Sequence, residues 1–389
     1  MAVQFPGRPV TAIGRREQHP VIGLLRHLDF VLIGSAILLS LIGVVMVYSA
    51  TKVLLQAQGI DPHYYLKRQI VWLVVGLVVL VVTIAVDYQF LAQFGYVFYG
   101  LVLLSLVAVL SRSIGSSALG SQRWIQFGPL QIQPSEFAAL ALIIVVATYC
   151  SRLDVIEPRH LFVVSALAGV PILLVAKQPD LGTAIIMAIV LVAMLVSAGV
   201  RLRYLAVMAI VGVVGVYLAV HLGIVHSYQI GRLTNFLNQG SGTQSGNYNL
   251  NQSKIAIASG GLTGTGPFRG AATNGGYVPE QQTDFIFTAV GEQFGFAGAA
   301  VVISLFGIVA LRILRAAQIA RDPFGRMICA GGLAFIAFSA FQNMAMTVGL
   351  MPITGIPLPF VSYGGSALIV FFATVGLVVN VEMRRLARR

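Results

Sequence analysis

The 389-residue chain is 57% hydrophobic and only 10% charged, with a formal net charge of +12 and a mean hydropathy of +0.88. An ordinary soluble domain carries about 25% charged residues. This composition therefore excludes a soluble domain and indicates a polytopic membrane protein. The basic residues separate apolar runs and do not cluster on one surface. This placement argues against a nucleic-acid partner and indicates topology signals and contact with anionic lipid headgroups.

Ten apolar runs have the length, or nearly the length, that a membrane-spanning helix needs, about 20 residues. In chain order they lie near 30–50, 68–86, 92–111, 135–151, 160–177, 182–199, 205–225, 284–311, 327–351 and 363–382. We therefore predict an all-α polytopic membrane protein with about ten transmembrane helices in a single membrane domain, 30–383. A polar tail, 1–29, precedes this domain and a short basic tail, 384–389, follows it.

The placement of lysine and arginine predicts the orientation of the bundle. With the N-terminus inside, 16 of the 25 basic residues fall in inner segments. Because cytoplasmic loops carry the excess of Lys and Arg, both termini are expected in the cytoplasm. Cys150 and Cys329 lie inside apolar runs and the histidines lack metal-site spacing, so neither a disulfide framework nor a metal cluster is expected.

Two predicted outer segments are longer than ordinary connections between helices. The larger, 226–283, is rich in Gly, Ser, Asn and Gln, and its stretch YNLNQSKIAIASGGL predicts a short surface helix. The smaller, 112–134, contains GSSALGSQRWIQFGPLQIQ. Long connections in a compact membrane protein are usually functional or disordered, so we expect one large extracytoplasmic loop to help form a site.

Polar and ionisable residues concentrate on this predicted outer side. They are Arg123, Trp124, Glu136, Lys177, Asp180, Arg232, Lys254, Glu280, Asp284 and Glu292. Such a mixture suits an anionic lipid-linked substrate, whose phosphates the basic groups bind while an acid accepts a proton. The alternatives are ion pairs of Glu136 and Glu292 that only tie helices together, and an interfacial anchor in Trp124.

Asp284 is the best candidate for a general base. It follows Thr283 at the predicted start of a span, where Thr283 is expected to cap the helix and a water-filled cavity is expected to meet the membrane. Desolvation there raises the pKa of a carboxyl group and nearby cations lower it, and the sequence leaves the balance open. The alternative is a simple negative charge at a helix N-terminus.

The stretch GIPLPFVSYGGSA, 355–367, sets two prolines and a Gly-Gly pair before the last predicted span. Irregular backbone at membrane depth is tolerated only where protein or a water cavity covers it. We predict that Ser362 and Tyr363 in this stretch bind substrate. A re-entrant turn with no direct role is the alternative.

Five stretches occur in the order known from one protein family. They are GSQRWIQFGPLQIQPSE, KQPDLGTA, NQSKIAIASGGLTGTG, VPEQQTDFIFTAVGEQFG and GIPLPFVSYGGSA. Through them the chain resembles the SEDS family (shape, elongation, division and sporulation) from about residue 30 to residue 383. QSKIAI and PLPFVSYGGSA resemble the RodA branch of cell elongation more than the FtsW branch of division.

The resemblance implies a ten-helix peptidoglycan glycosyltransferase. Such enzymes polymerise lipid II, a disaccharide-pentapeptide on undecaprenyl pyrophosphate, into glycan strands for elongation and rod shape. The family's essential aspartate falls on Asp284, which would remove the proton of the acceptor hydroxyl. That hydroxyl would attack the donor's anomeric carbon with inversion, and undecaprenyl pyrophosphate would leave.

The resemblance also implies partners and a location. The partners are lipid II, a class B penicillin-binding protein that cross-links the strands, the elongation machinery and membrane lipids. The location is the cytoplasmic membrane of a bacterium, with the active site facing outside. A lipid II flippase and a division or sporulation paralogue are the alternatives. A scaffold role for the cross-linking partner is compatible with activity and does not exclude it. The lack of an evident internal repeat and the outward concentration of polar groups argue against the flippase.

The chain departs from the family's pattern around the implied site. Ala139 stands where the family often has Lys, Gln282 where it often has His, and Gln293 where it often has a second Glu. The identity of the cation that binds the diphosphate is therefore open. The candidates are Lys177, Arg123, Arg232 and Lys254. A divalent cation, Mg²⁺ or Mn²⁺, is the other interpretation, because hard cations favour carboxylate and phosphate oxygens.

Overall fold

The structure is a computed structural model that describes residues 28–111, 115–118, 121–127, 130–221, 227–239 and 247–385. The predicted tails, 1–29 and 384–389, lie almost entirely outside these residues. In chain order the described elements are α1 (Phe30–Ala57), α2 (Tyr64–Ala85), α3 (Tyr88–Leu110), β1 (Gly115–Ala118), β2 (Ser121–Phe127), β3 (Leu130–Ile132), α4 (Pro134–Cys150), α5 (Pro158–Lys177), α6 (Leu181–Ser197), α7 (Leu202–His221), α8 (Ser227–Leu237), α9 (Tyr248–Gly260), α10 (Ala271–Asn274), α11 (Ile286–Ile319), α12 (Pro323–Thr347) and α13 (Gly365–Arg384).

The predicted polytopic helical fold is confirmed. Seven of the described helices are long and apolar enough to cross a membrane: α1, α2, α3, α5, α11, α12 and α13. Three shorter apolar helices, α4, α6 and α7, complete the ten predicted runs. Hydropathy predicts these elements well because lipid and neighbouring helices accept the same apolar side chains.

The centre of the bundle is formed by α4 and α13. Almost every residue of α4 from Ala138 to Cys150 is buried, and α4 packs against α3, α6 and α12. Almost all of α13 is buried as well, with α2 as its main neighbour. By contrast α7 exposes most of its apolar side chains. A helix that is apolar all round suits either a protein core or lipid, and the structure assigns each helix to one of these surroundings.

The smaller loop contains a three-stranded antiparallel sheet in the order β1-β2-β3, which the all-α prediction did not include. The backbone register pairs Gly115 with Ile125, and Ile125 in turn with Ile132. These strands are only three to seven residues long and rich in Gly, Ser and Gln, so they carry little of the periodic hydrophobicity that predicts a strand.

The longest helix, α11, contains a kink that a loop fills. Gly295 has a non-helical backbone there, with φ 62°. Residues 261–266 lie against the kink, where the Phe296 amide donates to the Gly261 carbonyl at 2.9 Å and the Thr265 amide donates to the Glu292 carbonyl at 3.0 Å. The loop thereby satisfies backbone groups that the kink leaves without a helical partner.

Glycine is required where this loop touches α11. Gly264 has φ +85°, and a Cβ at that position would lie 2.1 Å from the Gln293 carbonyl oxygen. No side chain fits at such a distance, so the glycine of the SGGLTGTG stretch is a packing requirement as well as a turn residue. The stretch therefore connects the large loop to the helix that begins beside Asp284.

Two ends of the bundle can be distinguished. We call the end that carries the sheet, α8, α9, α10 and the segment 352–364 the loop end. At the opposite end Asp29 caps α1, accepting from the Val31 and Leu32 amides at 3.1 and 3.0 Å. Asp29 also pairs with Arg312 at 2.6 Å, which ties the start of α1 to the far end of α11. The predicted site residues lie at the loop end.

Candidate active site

Asp284 lies in a tight turn just before α11, within residues 277–285, which we call the aspartate turn. The Glu280 carbonyl accepts hydrogen bonds from the amides of Thr283 and Asp284 at 3.3 and 3.0 Å. Glu280 has φ 52°, in the left-handed region that only a constrained turn imposes on a residue with a side chain. The Asp284 side chain is half-buried at this turn.

The predicted cap by Thr283 is wrong. The helix begins two residues later than predicted, at Ile286, and its N-cap residue is Phe285, which makes no side-chain cap. The Thr283 hydroxyl instead donates to the Glu280 carbonyl at 3.1 Å, so it stabilises the turn and not the helix. Asp284 is therefore outside the first helical turn, and the loops around it hold its backbone in place.

The segment 352–364, which we call the proline loop, lies directly beside Asp284. The Asn343 side-chain amide donates to the Asp284 carbonyl at 2.8 Å and to the Ile356 carbonyl at 2.7 Å, which joins the two segments. Gly355 has φ +74°, and a Cβ there would lie 3.3 Å from Asp284 Oδ2. A side chain at position 355 would therefore cover the carboxylate.

Ser362 and Tyr363 fasten the proline loop to the aspartate turn. The Ser362 hydroxyl donates to the Thr283 carbonyl and accepts from the Leu358 amide at 2.8 Å. The Tyr363 amide donates to the Gln282 carbonyl at 2.9 Å. Two stretches that lie about 80 residues apart in the chain thus share one hydrogen-bonded frame, which fixes the position of Asp284.

Opposing charges surround the Asp284 carboxyl group. Burial raises the pKa of Asp284 to about 6, and the negative charge of Glu280 adds to this rise. The positive charges of Arg232 and Arg123 act in the opposite direction and keep the rise moderate. The carboxylate is therefore mostly ionised at neutral pH and is a stronger base than an exposed aspartate.

Arg232 comes from α8 and reaches the proline loop. Its Nη1 donates to the Ile353 carbonyl at 3.2 Å, two residues from the glycine that faces Asp284. The contact with Ile353 holds α8 over the proline loop. Of the predicted basic site residues, Arg232 and Arg123 are the two whose charges act on Asp284.

Arg123, on β2, is bound to the turn between α5 and α6. Its Nε donates to the Gln178 carbonyl at 2.9 Å, and its Nη2 donates to the Pro179 carbonyl. Its Nη1 lies 4.0 Å from Asp180 Oδ1. Two hydrogen bonds and the contact with Asp180 thus hold the sheet against the KQPD turn, although the charge of Arg123 still acts on Asp284. Trp124, the next residue, is half-buried.

Asp180 is a buried structural acid. Its carboxylate caps α6 by accepting from the Thr183 amide at 3.3 Å, and it accepts from Gln133 Nε2 and the Ser135 hydroxyl at 3.0 Å each. The side chain is only 3% exposed. These contacts join the starts of α4 and α6, so the structure gives Asp180 a supporting position beneath the loops.

Glu136 lies in the first turn of α4, close enough to Asp180 for their charges to repel. Its Oε2 is buried and has no hydrogen-bond partner among the described residues. Ala139, one turn further along α4, is fully buried and supplies no cation. A buried carboxyl oxygen without a partner is rare in folded proteins, and Glu136 is a candidate for contact with substrate.

Glu292 and Lys254 hold the large loop in place. Glu292 is 1% exposed, and its carboxylate accepts from the Ala272 and Thr273 amides at 2.7 and 3.0 Å, at the start of α10. Lys254 Nζ donates to Gln239 Oε1 at 2.6 Å. The structure thus places both residues in loop packing. Lys177, at the end of α5, is exposed and makes no ion pair with any described residue.

Several residues at this end were not singled out from the sequence. Asn343 lies in an apolar helix, where an amide side chain is a signal of a buried contact. Arg68 is one of the basic residues that separate apolar runs, and it lies beside Tyr363. Among the described residues no three His, Cys, Asp or Glu side chains group as a metal site.

Fold and site together define a polytopic membrane protein with a half-buried carboxylate among arginines at one end of the bundle. A family model for cell cycle proteins, which groups FtsW, RodA and SpoVE, matches residues 29–386. The chain belongs to this family, which confirms the resemblance seen in the five motifs. By this membership it is a glycosyltransferase of the membrane.

The chain is similar over nearly its whole length to relatives from both branches. "Probable peptidoglycan glycosyltransferase FtsW" of Trichlorobacter lovleyi is 37% identical over 366 residues, covering 92% of this chain and 94% of the relative. The crystal structure of the rod shape determining protein RodA of Thermus thermophilus matches with a TM-score of 0.69 and 26% identity, covering 93% of this chain and 98% of RodA.

A second solved structure matches with a TM-score of 0.77 and 27% identity, covering 93% of this chain and 99% of the matched chain. The matched chain comes from a structure of a peptidoglycan synthase complex that coordinates polymerization and crosslinking. Both solved structures have the same arrangement of helices as this chain.

Proposed function

We propose that the protein polymerises lipid II into peptidoglycan glycan strands, with Asp284 as the general base. The observation that carries the proposal is the position of Asp284, fixed by the aspartate turn and the proline loop, beside arginines and with a raised pKa. The test is gel analysis of glycan made from labelled lipid II by the purified protein in lipid. Movement of lipid II across the membrane without polymer would contradict it.

The chemistry follows from the geometry of Asp284. Its carboxylate accepts the proton of the acceptor sugar's hydroxyl, and the resulting oxygen nucleophile bonds to the donor's anomeric carbon. The bond from that carbon to the diphosphate oxygen breaks, and the electron pair leaves with undecaprenyl diphosphate. Because attack and departure take place on opposite sides of the carbon, the configuration inverts. Positive charge near the leaving oxygens stabilises the transition state.

The pH dependence of glycan synthesis tests the role of Asp284 as a base. Only the ionised carboxylate accepts a proton, and its fraction falls as the pH drops through its pKa of about 6. We expect the initial rate at low lipid II concentration to be flat above neutral pH and to fall about tenfold per pH unit below the pKa. In Glu280→Gln a neighbouring negative charge is lost, which lowers the pKa of Asp284. The fall in rate should therefore occur at lower pH in this variant. A fall in rate at the same pH as in the wild-type protein would contradict the assignment of Asp284 as the base.

A role in elongation and rod shape is part of the proposal. Its support is the likeness of QSKIAI and PLPFVSYGGSA to the RodA branch, together with the RodA structure. The similarity to FtsW of Trichlorobacter lovleyi favours division instead. Depletion of the protein in its own host separates the two roles, since loss of elongation gives round cells and loss of division gives filaments.

A class B penicillin-binding protein is the proposed partner. The support is the similarity to the chain from a complex that coordinates polymerization and crosslinking. We propose that such a transpeptidase binds this protein in the membrane and cross-links the strands as they are made. Co-purification from detergent-solubilised membranes, followed by polymerisation assays with and without the partner, tests this assignment.

The proposed orientation places the loop end outside and both termini in the cytoplasm of a bacterial cell. Single cysteines in a Cys150→Ala, Cys329→Ala background test it with a thiol reagent that does not cross membranes. We expect labelling of intact cells at position 277, which is 53% exposed at the loop end, and not at position 321, between α11 and α12. The reverse pattern would place Asp284 on the wrong side for the proposed reaction.

A further inference from the structure

Arg68 occupies a specific position at the start of α2. Its guanidinium lies over the Tyr64 ring, 4.4 Å from the ring centroid, and interacts with the Tyr363 side chain. The Tyr363 ring is edge-on to Tyr65 at a centroid distance of 4.9 Å. The next residue, Gln69, donates to the Ser362 carbonyl at 3.3 Å. Aromatic contacts and a neighbouring hydrogen bond therefore fix α2 against the proline loop at this point.

Arg68 differs from its neighbour Lys67 in its charge partners. Of the described residues, none with a carboxylate forms an ion pair with it, whereas its neighbour Lys67 pairs with Asp61 at 2.7 Å. The other candidate cations differ from Arg68. Arg123 is bound to backbone carbonyls, Lys254 is bound to Gln239, and Lys177 is exposed. Arg68 is half-buried and keeps N–H donors for a ligand, since a guanidinium has five of them.

Arg68 is connected through Tyr363 to the segment that carries Asp284. Tyr363, its contact, is hydrogen-bonded through its backbone to Gln282, two residues before Asp284. Arg68 therefore approaches the site from the α2 side, whereas Arg232 approaches from α8. An inverting transfer needs the base and the leaving group on opposite sides of the reacting carbon, so a cation away from the base is required.

The surface next to Arg68 is open to a lipid-linked molecule. One and two turns further along the same face of α2, Val71 and Val75 are 54% and 36% exposed. Arg68 thus stands at the polar end of an apolar, lipid-facing stripe. A ligand with a charged head and an apolar chain would meet the guanidinium and the valines together.

We propose that Arg68 binds the diphosphate of the lipid-linked donor, with the Tyr64 ring and the Tyr363 hydroxyl holding its guanidinium in place. This inference rests on the proposed function. It assigns to Arg68 the positive charge that is missing at Ala139, where the family often has a lysine. A planar guanidinium offers paired N–H groups to two phosphate oxygens, which a lysine does not. The bound cation then stabilises the charge that develops on the diphosphate as its bond to the sugar breaks.

An arginine stacked on a tyrosine is also a common interfacial anchor for a helix. An anchor would stabilise the protein without preferring one lipid phosphate over another. Binding is therefore measured in the Asp284→Asn background, which prevents turnover, in nanodiscs of zwitterionic phosphatidylcholine. The probes are undecaprenyl diphosphate, undecaprenyl monophosphate and phosphatidylglycerol, so that a diphosphate can be separated from a phospholipid headgroup.

We expect Arg68→Ala to weaken binding of undecaprenyl diphosphate by about tenfold or more and to change the two monophosphate lipids much less. Arg68→Lys should recover part of the preference, because it keeps the charge and loses the paired geometry. Lys67→Ala, which removes the same charge from the same helical turn, is the matched control and should leave the binding of all three lipids unchanged. With Asp284 intact, Arg68→Ala should lower kcat as well as raise KM for lipid II.

Three results would overturn the inference. The first is an equal loss for all three lipids, or a lower melting temperature alone, which indicates an anchor. The second is a larger loss of the diphosphate preference in Lys177→Ala than in Arg68→Ala. The third is an unchanged preference in Arg68→Ala. A wild-type protein that makes no glycan would contradict the proposed function itself, whatever the Arg68 variants do.

Discussion

Asp284→Asn is expected to lower the rate of glycan polymerisation by about 100- to 10,000-fold, the range that a positioned general base contributes. Asparagine keeps the shape of the side chain and cannot accept the proton of the acceptor hydroxyl. The frame around position 284 uses the backbone carbonyl, which accepts from Asn343 at 2.8 Å, so the substitution leaves the fold intact. The measurement is glycan product from labelled lipid II with purified protein.

The matched control for this variant is Asp61→Asn. Asp61 lies at the loop end as well, but it is exposed and pairs with Lys67 at 2.7 Å. Its replacement removes one negative charge from the same end and should leave the rate within about twofold, since exposed ion pairs contribute little. Polymerisation by Asp284→Asn at near the wild-type rate, with the protein correctly folded, would exclude Asp284 as the base.

Glu292→Ala is expected to destabilise the protein by about 3 kcal/mol, the loss for charge-assisted hydrogen bonds removed from buried donors. The variant leaves the amides of Ala272 and Thr273 without their acceptor, and the Thr273 hydroxyl loses a contact of 2.6 Å. Thr273 in turn accepts from Gln281 at 3.1 Å, within the aspartate turn. We therefore expect at least tenfold slower glycan synthesis together with a lower melting temperature in detergent.

Asp154→Ala serves as the control for Glu292→Ala. Asp154 is exposed in the turn between α4 and α5 and forms no ion pair with any described residue, so its loss should leave the melting temperature unchanged. Glu292→Gln keeps an acceptor oxygen, so its melting temperature should lie between those of Glu292→Ala and the control. A variant Glu292→Ala with normal stability and a raised KM for lipid II would instead favour the substrate-binding role predicted from the sequence.

The sequence predicted the helices because a membrane span needs a long apolar run and little else. It did not predict which runs lie in the centre: α4 and α7 are both apolar, yet one is buried among helices and the other faces outward. That choice depends on packing between helices, which hydropathy alone does not contain. The sheet was missed because its short strands carry too few apolar residues for a period of two to show.

The site was predicted in part for similar reasons. Acids such as Asp284, Glu292 and Asp180 are conspicuous in an apolar chain, but the sequence does not show which of them accept hydrogen bonds from the backbone. Asp180 and Glu292 do, and each supports a helix start. In the sequence Arg68 does not differ from a topology signal, which is the usual role of an arginine near the end of a span. Only its contacts with Tyr64 and Tyr363 distinguish it.

The length of α4 ties the chemistry of this protein to the thickness of its membrane. With 17 residues, α4 is about 25 Å long, against about 30 Å for a typical hydrocarbon core. Lipid cannot thin around α4 to compensate, because other helices enclose it. A helix of this length leaves one end below the headgroup level, and the polar start at Gln133 and Glu136 is the end that suits such a position. In the proposed reaction a lipid-borne sugar would have to descend to it. Thicker bilayers lengthen that descent, so acyl-chain length becomes a determinant of the turnover rate.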